Sequence, residues 1–145
     1  MRFPLSLTTT MVGYIAKKKL TRQQRFPLVL MLEPLHACNL TCTGCGRIRE
    51  YESTIKQKLS VEECLASVDE CGAPTVSICG GEPMIYPEID RLVREILQRR
   101  KNIILCTNGM FIEKWLPKFR PTPRFFSYFS PSLGYRAQRP LQPQI

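Results

Sequence analysis

"LVLMLEPLHACNLTCTGCG", residues 28–46, joins an unbroken apolar run to a loop crowded with cysteine. Residues 28–32 carry no polar side chain and Pro34 closes the run, as expected of a strand buried on both faces of a parallel sheet. Cys38, Cys42 and Cys45 follow at C-x3-C-x2-C spacing, beside the only histidine of the chain, His36.

Two similar units follow downstream. "SVEECLASVDECG" (60–72) opens with Ser60 and Glu63 as a capping box and closes at Gly72, with Val61, Cys64, Leu65 and Val68 as its apolar stripe. Cys64 is therefore expected in the core, and Cys71, near the helix end, is structural too. "TVSIC" (75–79) reads as a second strand ending in "GGEP" (80–83). "PEIDRLVREILQRR" (87–100) reads as a helix with Pro87 in its first turn. "NIILC" (102–106) is a third strand, ending in "TNG" (107–109), and "MFIEKWLPKF" (110–119) starts a helix that Pro117 interrupts, with Trp115 packing it onto the sheet. Strand, loop and helix recurring three times predict parallel α/β structure, the first three βα units of an incomplete TIM-type barrel. Chemistry in such sheets gathers at the C-terminal ends of the strands, which brings together residues 38–45, 80–83 and 106–109.

The two ends read differently. Residues 1–25 hold six Lys and Arg and no acid, residues 26–113 hold nine basic and twelve acidic residues, and residues 114–145 again hold six basic residues and no acid. The net charge of +9 thus sits at the termini around a mildly acidic body, without a nucleic-acid motif, so no nucleic-acid partner is expected. Residues 1–25 are assigned a basic amphipathic helix on the line Leu7, Met11, Ile15, with Lys17, Lys18 and Lys19 at its end. The lysines suit a helix C-terminus, and equally a helix lying on an anionic membrane surface. Residues 26–119 form the body. Residues 120–145, with much proline, arginine and serine and no clear periodicity, read as an irregular tail, disordered or translated out of frame. Seven cysteines without a secretory signal or a spanning apolar window place the chain in a reducing, cytoplasmic compartment.

Three thiolates on one loop can hold three corners of a cubane iron–sulfur cluster and leave its fourth iron open. A structural zinc site is the alternative, with His36 or Cys79 as the fourth ligand.

C-x3-C-x2-C after the first strand and "GGEP" after the second resemble the motifs of the radical S-adenosylmethionine enzymes. Gly44 departs from the pattern, which usually places an aromatic residue before the last cysteine. Over residues 10–119, "FPLVLMLEPLHACNLTCTGCG", "LSVEECLASVDECGAPTVSICGGEP", "YPEID" and "LCTNG" are similar to the adenosyl-hopene transferases of hopanoid biosynthesis. The resemblance implies that Cys38, Cys42 and Cys45 ligate a [4Fe-4S] cluster and that S-adenosylmethionine chelates the open iron. Gly80, Gly81, Glu82 and Pro83 would receive its amino group, and Asn108 would join the cofactor contacts. The substrate would be a hydrophobic triterpene, a hopene, and a one-electron reductant such as flavodoxin or ferredoxin would serve the cluster. Cys106 would donate the hydrogen atom that completes the adenosylhopane product. The enzyme would work at the inner face of the cytoplasmic membrane, docked by its N-terminal helix. A non-catalytic fragment that at most binds a cluster is the competing expectation.

Overall fold

The computed structural model describes residues 5–42, 45, 52–119 and 122–129. Its elements are α1 (Leu5–Leu20), β1 (Val29–Leu32), α2 (Val61–Cys71), β2 (Thr75–Ile78), α3 (Ile89–Gln98), β3 (Asn102–Thr107), α4 (Ile112–Trp115) and β4 (Phe125–Phe129). Short 3-10 turns lie at Glu52–Thr54, Pro83–Ile85 and Leu116–Lys118. The four strands are parallel, in the order β1-β2-β3-β4. The parallel α/β expectation holds, and the sheet is one strand wider than the sequence suggested.

That extra strand corrects the reading of residues 120–145 as irregular. "FFSYF" (125–129) pairs with β3, Ile103 opposite Phe125 and Thr107 opposite Phe129. Aromatic residues favour a pleated, half-buried surface, and the free edge of β3 offers a ready ladder. Proline and arginine around the segment mask this in the sequence. Residues 130–145 lie outside the described residues.

Register sorts the side chains into two faces. Leu30, Val76, Ile103 and Phe125 lie in one row, and Leu32, Ile78 and Leu105 in the next. These rows meet Val61, Cys64, Leu65 and Val68 of α2 and Ile89, Leu92, Val93 and Ile96 of α3 in one core. Each such side chain stabilises the fold by roughly 1.5–3 kcal/mol when fully buried. Helix α2 forms as its sequence dictates: Ser60 Oγ accepts from the Glu63 N–H at 3.2 Å, and Glu63 Oε2 accepts from the Ser60 N–H at 2.7 Å.

Cys64 is fully buried in this core, as expected. Burial pushes its thiol up to about 11 from an ordinary 9.0, with Glu63 nearby adding to the rise. The folded chain therefore resists ionising Cys64 while the unfolded chain does not. The associated stability is complete below pH 9 and is lost as pH rises from 9 through 11. Urea melts at pH 8 and pH 10.5 should differ by on the order of 1–2 kcal/mol more for the parent than for Cys64→Ala.

The opposite face carries Val29, Met31 and Glu33, then Thr75, Ser77 and Cys79, then Ile104 and Cys106. Its lower half is covered by α1. Leu7 is buried, Met11 and Ile15 are half-buried, and with Val12, Val29 and Ile104 they line an apolar cavity of about 380 Å³. Thr75 Oγ1 meets Met11 Sδ at 3.6 Å, and Ser6 Oγ donates to the Pro123 carbonyl at 2.7 Å, so the helix crosses the sheet from β1 to the start of β4. The apolar stripe assigned from sequence either to packing or to a membrane surface packs on the sheet. Leu5, Val12 and Leu20 remain exposed.

The sequence expectation of β1 buried on both faces is corrected. Val29 is 44 % exposed and Met31 67 % exposed. Their side chains face the side of the sheet opposite α2 and α3, which α1 covers only in part. No helix among the described residues is long and apolar enough to cross a membrane.

Candidate functional site

Three segments meet at the C-terminal edge of the sheet: the cysteine loop after β1, the turn after β2 and the turn after β3. The backbone of residues 35–37 runs directly against residues 79–82. Cys79 N–H donates to the Leu32 carbonyl at 2.9 Å, Gly81 N–H to Leu35 at 3.2 Å and Glu82 N–H to Ala37 at 2.9 Å. The β1–β2 pairing thus continues past the strands themselves and carries Cys38 to the edge.

The two glycines are what permit this approach. A Cβ at Gly80 would lie 2.4 Å from the Leu35 carbonyl oxygen, and Gly80 takes φ +117°, which side-chain-bearing residues rarely adopt. A Cβ at Gly81 would lie 1.9 Å from the Ala37 oxygen and 2.4 Å from that of His36. The glycines of "GGEP" therefore admit the cysteine-bearing segment.

Glu82 is 1 % exposed and turned into the protein. Oε1 accepts from Thr107 Oγ1 at 2.6 Å and from the Met84 N–H at 3.0 Å, and Oε2 accepts from the Asn108 N–H at 2.7 Å. The carboxylate thus clamps the β2 turn to the β3 turn. Pro83 is buried and starts the 3-10 turn whose Met84 carbonyl accepts from Trp115 Nε1 at 2.8 Å. Trp115 thereby docks α4, as its aromatic bulk implied. Asn108 uses its side chain to reach Asn39 in the cysteine loop, Nδ2 to Oδ1 at 2.9 Å. Sequence reasoning missed Asn39, whose only signal was its place directly after Cys38.

Cys38, Cys42 and Cys45 are all half-buried free thiols. The Cys45 N–H donates to the Cys42 carbonyl at 3.1 Å, which folds the loop back on itself. Burial pushes the Cys38 thiol up, the Leu40 N–H at 3.4 Å partly offsets this, and charge on Glu82, Cys42 and Cys45 adds to the rise. Three thiolates so placed repel one another until cationic iron offsets them, which is the chemistry of a thiolate-ligated cluster.

The zinc alternative fits less well. Four thiolates or imidazoles on one zinc ion must approach to about 3.8 Å, given Zn–S bonds of about 2.3 Å. Among the described residues no three His, Cys, Asp or Glu side chains are grouped to hold one metal ion. His36 Nδ1 pairs with Thr54 Oγ1 at 3.0 Å, and the Cys79 thiol points to Glu33 Oε1 at 3.9 Å and the Ser77 carbonyl at 3.7 Å. A cubane binds each thiolate to a different iron and so accepts wider spacing. The donor set fits a cluster with three protein ligands.

Cys106 lies on the face of the sheet opposite α2 and α3. It is half-buried, with Sγ 3.6 Å from Ser77 Oγ, one step along the face from Cys79.

Comparison with known proteins agrees with this geometry. GTP 3′,8-cyclase of Aquifex aeolicus is 30 % identical over 95 residues, covering 61 % of this chain and 30 % of the relative. PqqA peptide cyclase of Granulibacter bethesdensis is 29 % identical over 91 residues, covering 61 % of this chain and 24 % of the relative. The chain thus spans 24 to 30 % of the length of these curated relatives. The crystal structure of Streptococcus suis SuiB bound to S-adenosylmethionine shares the fold, with TM-score 0.57 and 24 % identity over 81 % of this chain and 26 % of that one. A family model described as the radical SAM superfamily matches residues 32–133, so the family likeness runs past residue 119, through β4. With its cysteine loop, its glycine turn and the match across most of its length, the chain belongs to the radical SAM superfamily, whose cofactors are a [4Fe-4S] cluster and S-adenosylmethionine.

Proposed function

We propose that the chain is the cofactor-binding part of an enzyme that adds an adenosyl group to a hopene. Cys38, Cys42 and Cys45 hold the cluster, and the edge built by residues 80–83 and 107–109 receives S-adenosylmethionine. When bound, the two cofactors supply a 5′-deoxyadenosyl radical by one-electron cleavage of the sulfonium, the electron coming from a flavodoxin- or ferredoxin-type reductant. The chain's own residues position and finish the reaction. Cys106 gives its thiol hydrogen to the substrate carbon left with an unpaired electron: the S–H bond breaks, a C–H bond forms, and the sulfur radical regains one electron from the reductant and one proton from water.

The observation that carries the hydrocarbon substrate is the apolar cavity between α1 and the face of the sheet that also bears Cys106, where Thr8 and Thr75 add the only side-chain hydroxyls of the lining. A nucleotide or a peptide backbone would lose hydrogen bonds there, whereas a triterpene loses none. The motif likeness of residues 10–119 to the hopene branch supports the same substrate.

Anaerobic reconstitution with iron and sulfide, followed by incubation with S-adenosylmethionine, reductant and hopene in detergent, tests the reading. The expected products are methionine and adenosylhopane, identified by mass spectrometry. Cys106→Ala should leave methionine release within about twofold while saturated product falls at least about tenfold, in the range of a lost proton- or hydrogen-transfer group. Cluster uptake without methionine release would overturn the transfer reading for this chain.

A further inference from the structure

The cysteine loop is held to the sheet by directed side-chain bonds as well as by packing. Leu40 is 3 % exposed and sets the depth of the loop, but apolar packing does not fix its orientation. Directional hydrogen bonds remove that freedom. Asn108 Nδ2 donates to Asn39 Oδ1 at 2.9 Å, and Asn39 Nδ2 reaches Met110 Sδ at 3.3 Å. Asn108 Oδ1 in turn accepts from the Met110 N–H at 3.0 Å, which fixes the orientation of its own amide. Its backbone N–H is gripped by Glu82 at 2.7 Å. One residue of the β3 turn is therefore held by the β2 turn through its main chain and holds the cysteine loop through its side chain. Asn39 adjoins Cys38, whose sulfur accepts from the N–H of Leu40 on the other side of Asn39. Both asparagines are half-buried, where hydrogen bonds face less competition from water.

We propose that the Asn39–Asn108 amide pair is a positioning bridge that sets how the cysteine loop, and Cys38 above all, seats against the β2 and β3 turns. The inference rests on Cys38, Cys42 and Cys45 being cluster ligands. In this role Asn108 acts through Asn39 and the backbone, in addition to the cofactor contact expected of it from sequence.

Three variants of the full chain separate the bridge from general folding. Asn39→Asp keeps an oxygen for Asn108 Nδ2. Asn39→Leu matches the size and offers no acceptor. Asn108→Ser keeps a hydroxyl able to accept from the Met110 N–H yet is too short to reach Asn39. Before cluster loading, N-ethylmaleimide labelling of Cys38, followed by peptide mass spectrometry, should be at least about threefold faster in Asn39→Leu and Asn108→Ser and close to parental in Asn39→Asp, since labelling follows the population of opened loop. Buried Cys64 is the folding control, because an unfolded variant labels it as fast as Cys38. If Asn39→Leu fails that control, Asn108→Ser decides the question.

After loading, Asn39→Leu and Asn108→Ser should lose iron to a chelator faster, and the electron paramagnetic resonance signal of the reduced cluster should change less on addition of S-adenosylmethionine. Asn39→Asp should rescue both. Parental labelling in both bridge-breaking variants, or an Asn39→Asp as impaired as Asn39→Leu, overturns the proposal. A parent chain that takes up no cluster overturns the ligand reading instead, and the labelling arm still decides whether the bridge seats the loop.

Discussion

Gly81→Ala is expected to unseat the cysteine loop and abolish cluster uptake. The new methyl would stand 1.9 Å from the Ala37 carbonyl oxygen and 2.3 Å from its carbon, both backbone atoms that cannot rotate away. Relief requires the two segments to separate, which breaks the bonds from Gly81 N–H to Leu35 and from Glu82 N–H to Ala37. Overpacking of this kind, with two lost hydrogen bonds, should cost about 2–4 kcal/mol. Since the displaced segment leads into Cys38, reconstituted iron should fall with stability. Gly13 in α1 supplies the contrast, because a Cβ there meets nothing within 4 Å. Gly13→Ala should stabilise the helix by up to about 1 kcal/mol. Urea melts and iron analysis of the pair settle the point: equal behaviour of the two variants would contradict the close approach.

Glu82→Gln should be nearly as damaging, although it changes only one oxygen to nitrogen. The carboxylate receives two backbone N–H groups, from Met84 on one oxygen and Asn108 on the other. Whichever way the amide turns, its NH2 faces a fixed N–H. The Thr107 hydroxyl at 2.6 Å can reorient, but the two backbone donors cannot. An unpaired buried donor, added to the loss of charge-assisted bonds, costs about 2–4 kcal/mol. Thr107→Val removes the donor to Glu82 and the acceptor of the Gly109 N–H at 3.0 Å, and should cost about 1–2 kcal/mol. Denaturation midpoints of the two variants check the ranking, and a Glu82→Gln as stable as the parent would refute the inward clamp.

What the sequence made legible was local. The capping box of Ser60 and Glu63, the apolar stripe of α2 and the three βα repeats each follow from residues a few positions apart, and each stands where it was expected. The clustering of 38–45, 80–83 and 106–109 was legible too, because parallel strands necessarily put their ends on one side. The misses depend on distant partners. Nothing near Gly81 announces that its neighbour is the backbone of residues 36 and 37, and Glu82 looks like any ligand-facing acid until Thr107 and Asn108 are beside it. Asn39 and Asn108 are 69 residues apart. "FFSYF" reads as debris in its proline-rich setting and becomes a strand only when β3 offers an edge. The exposure of β1 on one face likewise reflects where α2 and α3 pack, which no apolar run can report.

The crossing of α1 from β1 to Pro123 sets an order of events during synthesis. The helix leaves the ribosome before the strands it crosses, yet its Ser6 contact is 117 residues downstream. At about 5–20 residues per second that contact waits roughly 6–23 s, while the βα units between can close on short-range contacts. Val29, Thr75 and Ile104 gather in that interval without their cover. The helix is made before the strands it covers and completes its seat after them, and the nascent chain is most vulnerable to association with its neighbours just before it does.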